Sequence, residues 1–209
     1  MTEAAFWNNL AEKYARQPVA DPAAFERKIA ITRASMRPQD ELLDIGCGTG
    51  SLALRLAPHC ARVHGLDISS EMIRIADGKA AADKVDNVTF HVGPFDDSFA
   101  AFAPESLDGV CAYSILHLVE DRRAALDRIY RLLKPGGFFI SSTVCLGESW
   151  VPFGPILRVM RWIGKAPMVK IFRAKALADE IEQAGFVDLS RPDVGAKPIV
   201  AFMVARKPA

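Results

Sequence analysis

Three glycines and an aspartate have the spacing of a nucleoside site. Gly46, Gly48 and Gly50 follow a short apolar run in the stretch LLDIGCGTG. A glycine-rich turn between a strand and a helix lets a ligand approach the backbone N–H groups at the helix start. Asp67 comes 21 residues after Gly46, where a carboxylate can accept hydrogen bonds from ribose hydroxyls. We therefore expect a ligand that contains a nucleoside, although such a turn also serves tight packing of a strand against a helix.

Asp44, two residues before the first glycine, distinguishes between two nucleoside cofactors. The dinucleotide fingerprint is GxGxxG, whereas here Ser51 stands at the place of the last glycine. A carboxylate beside the turn would repel a pyrophosphate but can pair with an ammonium group. S-adenosylmethionine carries an ammonium and no phosphate, so the pattern favours it over a nicotinamide dinucleotide.

Alternating apolar runs and helical patterns predict a parallel sheet covered by helices. Two helices, residues 3–16 and 22–36, precede the first strand, and we expect residues 1–37 to form a flap outside the sheet. The last strand is apolar at every position, which predicts burial inside the sheet rather than at its edge. The predicted strands are 41–46, 62–67, 88–92, 107–112, 137–144 and 199–205, with a weaker one within 186–194.

Two amphipathic helices are predicted between the later strands. The first lies in EDRRAALDRIYRLLKPGG, with Glu120 and Asp121 in its first turn and the Pro-Gly-Gly triplet at 135–137 as its stop. The second lies in KALADEIEQAGF, with Gly185 at the position after the helix where a positive φ is common. The apolar face of the first helix is formed by Leu126, Ile129, Tyr130 and Leu133.

Composition predicts one soluble domain over residues 1–209. Half of the 209 residues are hydrophobic, which suffices for one core. The net charge of +1 disfavours nucleic acid as a partner, and no apolar run is long enough to span a bilayer. The four cysteines form no CxxC pair, so we expect a reduced, cytoplasmic protein without a metal site.

Four stretches together resemble the motifs of the class I S-adenosylmethionine-dependent methyltransferases, especially their small single-domain bacterial members. These are LLDIGCGTG, VHGLDISSEMI, SLDGVCAYSILHLVED and LLKPGGFFI. The resemblance covers about residues 41–186 and is specific to the cofactor, not to the methyl acceptor. It implies a doubly wound, Rossmann-like α/β fold with helices on both faces of a seven-stranded sheet, mostly parallel with an antiparallel last strand.

The resemblance also implies roles around the cofactor. Asp44 would orient the ammonium of S-adenosylmethionine, and Asp67 would bind both ribose hydroxyls. Tyr14 would close over the methionine carboxylate, or else face the core. The other implied contacts are Gly46, Cys47, Gly48 and Gly50 along the methionine part, Ile68 and Met72 on the adenine or in the core, and the backbone of Ala112 and Tyr113 beside the transferred methyl.

The third motif, HVGPFDD, departs from the family pattern. Pro94 stands where the family usually carries an acidic or amide residue that binds the adenine amino group. Proline has neither a polar side chain nor an N–H. The backbone N–H of Phe95 or the carboxylate of Asp96 could take over this contact.

Methyl transfer from a sulfonium is an in-line displacement, which mainly requires alignment. Positioning can supply roughly 7–11 kcal/mol of such a barrier. A general base adds about 10²–10⁴-fold where the acceptor must lose a proton. His117, after the fourth strand, is the candidate for this base; otherwise it is a packed side chain.

Residues 145–174 form an insertion between the fifth strand and the next helix. Pro155 suits the first helical position and Gly164 the position after the helix. We expect a lid whose apolar face selects a hydrophobic or aromatic acceptor. The alternatives are plain core packing, or contact with a dimer partner or a membrane surface through the basic face. Expected acceptor contacts are Trp150, Phe153 and Trp162; the apolar face holds Ile156, Val159, Met160 and Ile163, and the basic face Arg158, Arg161 and Lys165.

The sequence thus predicts a methyltransferase that acts on a small, hydrophobic or aromatic molecule and releases S-adenosylhomocysteine. Two alternatives stay open: a catalytically silent S-adenosylmethionine-binding partner subunit and, less favoured, a nicotinamide-dependent oxidoreductase. A homodimer is compatible with the pattern, whereas stable membrane insertion is not expected.

Overall fold

The fold is built on one seven-stranded sheet. The computed structural model describes residues 2–209, and its strand order is β3-β2-β1-β4-β5-β7-β6. Strand β7 pairs antiparallel with β5 and β6, while the other pairs are parallel. The predicted fold class, the antiparallel last strand and its interior place are confirmed. The strands are β1 (Glu41–Ile45), β2 (Arg62–Asp67), β3 (Val88–Val92), β4 (Leu107–Tyr113), β5 (Leu133–Val144), β6 (Val187–Ser190) and β7 (Val200–Arg206).

Helices cover both faces of the sheet because neighbouring strand residues point to opposite sides. Leu43 belongs to a core with helices α5 and α7, and Leu42 to a second core with α2 and α3. The helices are α1 (Glu3–Arg16), α2 (Pro22–Ala34), α3 (Ser51–Leu56), α4 (Ser70–Ala82), α5 (Arg122–Leu132), α6 (Phe153–Trp162) and α7 (Ala174–Gln183).

The predicted flap divides into two parts. Helix α1 packs on α4 beside the carboxyl ends of β1 and β2, as a flap would. Helix α2 does not lie outside the sheet: Ile29, 2% exposed, packs in the core with Leu42 and Phe202, and α2 ends at Ala34, not at residue 36. Met1, the first residue of the predicted flap, lies outside the described residues.

The boundary between α5 and β5 also differs from the prediction. Helix α5 ends at Leu132, so Leu133, assigned to the helix face, is the first residue of β5 and pairs with Leu107. The helix begins after Asp121, whose carboxylate caps it by accepting from the Ala124 N–H at 2.9 Å. The Pro-Gly-Gly triplet therefore lies inside an irregular strand entry, where Gly136 has a φ of +76°.

Candidate functional site

Gly46 and Gly50 are glycines because the turn is crowded. Both have a positive φ, +67° and +74°. A Cβ at Gly46 would lie 2.7 Å from the side chain of Ile115, and one at Gly50 would lie 2.8 Å from the ring of Phe90. The turn therefore packs tightly against the chain after β4 and against β3, as well as facing the edge of the sheet where ligands of open α/β folds bind.

The N–H groups at the start of this turn are bound to β2. Gly46 and Cys47 both donate to the Leu66 carbonyl oxygen, at 2.7 and 3.0 Å, and Gly48 donates to Asp67 Oδ2 at 2.9 Å. These bonds fix the turn relative to the carboxylate of Asp67. The sequence predicted that the backbone N–H groups of the glycine turn face a ligand. Those of Gly46, Cys47 and Gly48 donate to β2 instead.

Asp67 is held by two backbone donors. Its Oδ2 accepts from Gly48, and its Oδ1 accepts from the Ser69 N–H at 2.9 Å. Burial raises the pKa of Asp67, and these two N–H groups oppose the rise. Because a carboxylate has about four acceptor positions, it can still accept two more hydrogen bonds. That is the number a ribose diol would need.

Asp44 is the buried carboxyl group of the site. It is 2% exposed, and its Oδ2 has no hydrogen-bond partner among residues 2–209. Burial and then the charge of Asp67 raise the pKa of Asp44 to about 8. A buried carboxyl oxygen without a partner is costly unless a ligand satisfies it. A carboxyl group whose ionisation is disfavoured by burial and by the charge of Asp67 suits a cationic ligand and opposes a pyrophosphate.

Helix α1 closes over this pair of carboxylates. Asn8 Oδ1 accepts from Ser69 Oγ at 2.7 Å and from the Glu71 N–H at 3.3 Å. Tyr14 reaches to 3.7 Å from the Cβ position of Gly48 and keeps 48% of its surface exposed. Partial burial, then the charges of Asp67 and Asp44, raise the pKa of Tyr14. Its hydroxyl therefore stays protonated beside the turn.

The side chains expected at the adenine have different surroundings. Ile68 is 36% exposed next to Asp67, whereas Met72 is 2% exposed within the protein. Phe95 packs partly on the core, and exposed Asp96 already accepts from the N–H and hydroxyl of Ser98. Those hydrogen bonds lower the pKa of Asp96.

The end of β4 brings the backbone of Ala112 and Tyr113 to the same edge of the sheet. Ala112 is fully buried, and the Tyr113 hydroxyl lies 2.8 Å from Thr32 Oγ1 in α2. The next residue, Ser114, has a φ of +57°, a conformation that costs about 1–3 kcal/mol for a residue other than glycine. This strained turn places Ile115 against Gly46, and the chain continues to His117.

His117 is largely enclosed. Its Nδ1 is buried without a hydrogen-bond partner among residues 2–209. Burial lowers the pKa of His117 to about 4, so the ring is neutral at neutral pH. Its carbonyl oxygen accepts from the Lys170 N–H at 2.8 Å, which joins this loop to the insertion.

The insertion, residues 145–174, is tied down at its base. Gly147 donates to the Phe172 carbonyl oxygen at 2.9 Å, and the Glu148 carboxylate accepts from the Ala174 N–H at 2.9 Å. The Met168 N–H donates to the carboxylate of Glu3 in α1 at 3.2 and 3.3 Å. These contacts hold the insertion between α1 and the loop of His117.

The predicted acceptor contacts of the insertion differ in exposure. Phe153, the first residue of α6, is half-buried, while Trp150 and Trp162 are 94% and 86% exposed. Trp162 lines a cavity of about 570 Å³ between α6 and the start of α1, together with Phe6 and Arg161. Pro155 is the third residue of α6, not the first, and Gly164 has the expected positive φ after the helix, +69°.

Several residues that shape the site were missed from the sequence. Ser69 caps α4 by accepting from the Met72 N–H at 3.1 Å, and its place before an amphipathic helix could have indicated this. Asn8, Lys79 and Ile115 gave no such signal. Lys79 Nζ binds Thr49 in the glycine turn, at 2.8 Å from the hydroxyl.

Comparison with known proteins decides the family. A family profile described as "Methyltransferase domain" matches residues 43–141, from β1 into β5. The demethylmenaquinone methyltransferase of Symbiobacterium thermophilum is 32% identical over 180 residues, which cover 81% of this chain and 69% of that protein. The chain belongs to the class I S-adenosylmethionine-dependent methyltransferases. S-adenosylmethionine, the cofactor of this family, fits the unpartnered oxygen of Asp44 and the free acceptor positions of Asp67.

Two further matches give the extent of the likeness. The ubiquinone/menaquinone biosynthesis C-methyltransferase of Geotalea daltonii is 33% identical over 115 residues, 53% of this chain and 48% of that protein. The chain therefore spans between about half and two thirds of the length of these curated relatives. The solved phosphoethanolamine N-methyltransferase 2 of Haemonchus contortus, in complex with S-adenosylhomocysteine, has a TM-score of 0.76 at 18% identity, covering 100% of this chain and 61% of that chain. At this identity the likeness concerns the fold alone.

No group of three or more His, Cys, Asp or Glu residues among residues 2–209 is placed to hold a metal ion. None of the helices in this range combines the length and the apolar character needed to cross a membrane.

Proposed function

We propose that this protein transfers a methyl group from S-adenosylmethionine to a small, hydrophobic or aromatic acceptor. The observation that carries the donor half is the buried, unpartnered oxygen of Asp44 beside the glycine turn. An ammonium group is the partner that offsets the cost of this buried carboxylate. When bound, S-adenosylmethionine supplies a methyl group on a sulfonium, which is a good leaving group.

The chain's own residues bind and enclose the donor. Asp44 holds the ammonium, and Asp67, oriented by the N–H groups of Gly48 and Ser69, holds the ribose diol. Tyr14 covers the methionine end. Ile68 contacts the adenine, whose amino group is bound by the Phe95 backbone or Asp96. Met72 supports this surface from within the protein.

The acceptor half rests on the insertion. It joins α1 and the His117 loop, so it covers the edge of the sheet where the methyl must be delivered. Three aromatic side chains of the insertion, Trp150, Phe153 and Trp162, suit an apolar acceptor. The name of the Symbiobacterium relative, a demethylmenaquinone methyltransferase, supports this acceptor class.

The role proposed for His117 is contact with the acceptor through Nδ1. With a pKa of about 4 the ring is a weak general base, because efficient proton transfer needs a pKa near the working pH. The neutral ring can still orient an acceptor by a hydrogen bond. Positioning, rather than proton abstraction, therefore supplies most of the rate enhancement here.

The compartment proposed is the cytoplasm. All four cysteines are buried, free thiols, as a reducing compartment keeps them.

Calorimetric titration with S-adenosylmethionine, S-adenosylhomocysteine, NAD and NADP tests the donor. We expect both adenosyl compounds to bind more tightly than either dinucleotide; tight NAD binding with no response to the adenosyl compounds would overturn the proposal. A screen of quinones, phenols and other apolar acceptors, scored by release of S-adenosylhomocysteine, tests the acceptor class.

Replacing residues 149–173 by a short Gly/Ser linker separates the two halves. We expect cofactor affinity to persist while the KM for the acceptor rises and the substrate preference changes. An unchanged KM and preference would show that the insertion does not select the acceptor.

A further inference from the structure

Exposed apolar side chains are concentrated in one part of the insertion, residues 149–173. Of the twelve large hydrophobic residues that are exposed among the described residues, seven lie in this segment. No residue of α6 is buried, although each of the other long helices has buried side chains. The seven are Trp150, Ile156, Val159, Met160, Trp162, Ile163 and Ile171.

The apolar side chains of α6 form one continuous face. Ile156, Val159, Met160 and Ile163 recur at the spacing of a single helix face and are 36–59% exposed. The expected lid would turn this face towards the acceptor, whereas here it faces solvent. Contiguous exposed apolar surface of this kind marks a site of interaction.

The charge of the insertion indicates which kind of partner this apolar face binds. Residues 149–173, which we call the basic segment, contain five Lys or Arg residues and no Asp or Glu. Since the whole chain has a net charge of +1, the basic segment carries +5 and the rest of the chain −4. Among residues 2–209 only Arg161 of the five has an acidic partner, Glu3 at 3.8 Å. The five are Arg158, Arg161, Lys165, Lys170 and Arg173.

Amphipathic helices that lie in the interface of a bilayer have an apolar face, basic residues on the opposite face and tryptophans beside them. Trp150 lies three residues before α6, Trp162 is its last residue, and both are almost fully exposed. Tryptophan favours the headgroup level of a membrane. The rest of the chain carries a net charge of −4, so the basic segment is the part that anionic lipid attracts most strongly.

We propose that the basic segment docks the protein on the surface of an anionic membrane, with the apolar face of α6 in the headgroup boundary. This binding goes beyond methyl transfer and does not depend on the acceptor. It places the insertion, which touches both α1 and the His117 loop, at the lipid surface. An apolar acceptor dissolved in the bilayer would then reach the site without crossing water.

The test is co-sedimentation of the full chain with vesicles of phosphatidylcholine alone or mixed with phosphatidylglycerol. We expect binding to the mixed vesicles only, with loss at high salt, because the basic residues act through screened charges. Tryptophan emission should shift to the blue in a Trp7→Phe variant, which keeps Trp150 and Trp162 as reporters. Equal binding to both vesicle types would overturn the proposed role of charge.

Two matched pairs of variants locate the contact. Val159→Asp on α6 should weaken vesicle binding at least about tenfold, and Val19→Asp, an exposed valine before α2, should not. The double variant Arg158→Glu/Lys165→Glu should also weaken vesicle binding. The control double variant Arg33→Glu/Lys84→Glu, at the amino edge of the sheet, should leave vesicle binding unchanged. All variants should keep cofactor affinity, which shows that they fold.

Two results would overturn the proposal. One is a folded chain that ignores anionic vesicles but self-associates, with Val159→Asp separating the copies; the face would then join two copies of this chain. The other is an equal loss of vesicle binding in the control variants. Neither result bears on cofactor binding or on methyl transfer to a soluble acceptor.

Discussion

The donor side and the basic segment lie at the same edge of the sheet but are built in opposite ways. Around Asp67 the backbone donors are already bonded, and Gly46 and Gly50 have no room for a Cβ. In the basic segment the helix has no buried side chain, and four of five cationic groups have no acidic partner among residues 2–209. The fold fixes the donor side except for the open acceptor positions of Asp44 and Asp67, whereas in the basic segment it leaves the apolar face of α6 exposed.

The largest loss should follow from removing Asp67. Asp67→Ala deletes two charge-assisted hydrogen bonds to the ribose, each contributing about 1.5–3 kcal/mol, so we expect affinity for S-adenosylhomocysteine to fall about a hundredfold or more. Calorimetry measures this, with exposed Asp86→Ala as the matched control. Thermal unfolding must accompany it, since Gly48 and Ser69 also lose their acceptor. Unchanged affinity in a folded variant would refute the ribose role.

Asp44 should make cofactor affinity depend on pH. Its pKa of about 8 in the free protein means that the carboxyl must lose a proton to pair with an ammonium. Affinity should therefore rise with pH, about tenfold between pH 6 and pH 7, and level off above pH 8. Asp44→Asn should bind more weakly and without this rise. A pH-independent affinity in the native protein would contradict the pairing.

The same group should affect stability with the opposite sign. The folded pKa of about 8 exceeds the unfolded value of about 3.9, so the folded state binds more protons between these values. The free energy of unfolding should fall as the pH rises through this window. Asp44→Asn should remove this contribution, which a comparison of denaturant unfolding at pH 5 and pH 8 detects. A parallel dependence in both proteins would assign the slope to other groups.

His117→Ala should have a smaller effect, confined to turnover. Loss of one hydrogen bond that orients the acceptor should lower kcat about tenfold and leave cofactor affinity unchanged. Because burial keeps the ring neutral, kcat should show no step near pH 6.5 attributable to this residue. Equal turnover in both proteins on a true acceptor would mean that His117 only packs.

Cys47→Ala should have the least effect. Burial, then the charges of Asp44 and Asp67, raise the pKa of the Cys47 thiol well above its usual value. The thiol is therefore unreactive at neutral pH, and its backbone rather than its sulfur holds the turn. Affinity should stay within about twofold. Rapid alkylation of Cys47 in the native protein would contradict this description.

The same contrast explains what could be predicted from the sequence. Apolar runs predicted the sheet, which is confirmed, and the turn with Asp44 and Asp67 predicts a donor site because strand ends in a parallel sheet meet at one edge. The predicted end of α5 was wrong because a Pro-Gly-Gly triplet can occur at the start of a strand as well as at the end of a helix. Asn8 was missed because it meets Ser69 only through tertiary packing.

The direction in which the α6 face points could not be predicted either. Periodicity gives two faces of a helix but not which of them the protein covers. The expected lid assumed that the apolar face turns inwards. In the structure Val159 is 59% exposed, which a pattern of spacing alone cannot reveal.

Glu3 links helix α1 to the insertion. One carboxylate in α1 accepts from the Met168 N–H and lies 3.8 Å from Arg161, so α1 and the insertion share an anchor. Segments that cover a site and share an anchor open together, and such opening often limits turnover in enzymes. We therefore expect faster release of both the methylated product and S-adenosylhomocysteine in Glu3→Gln.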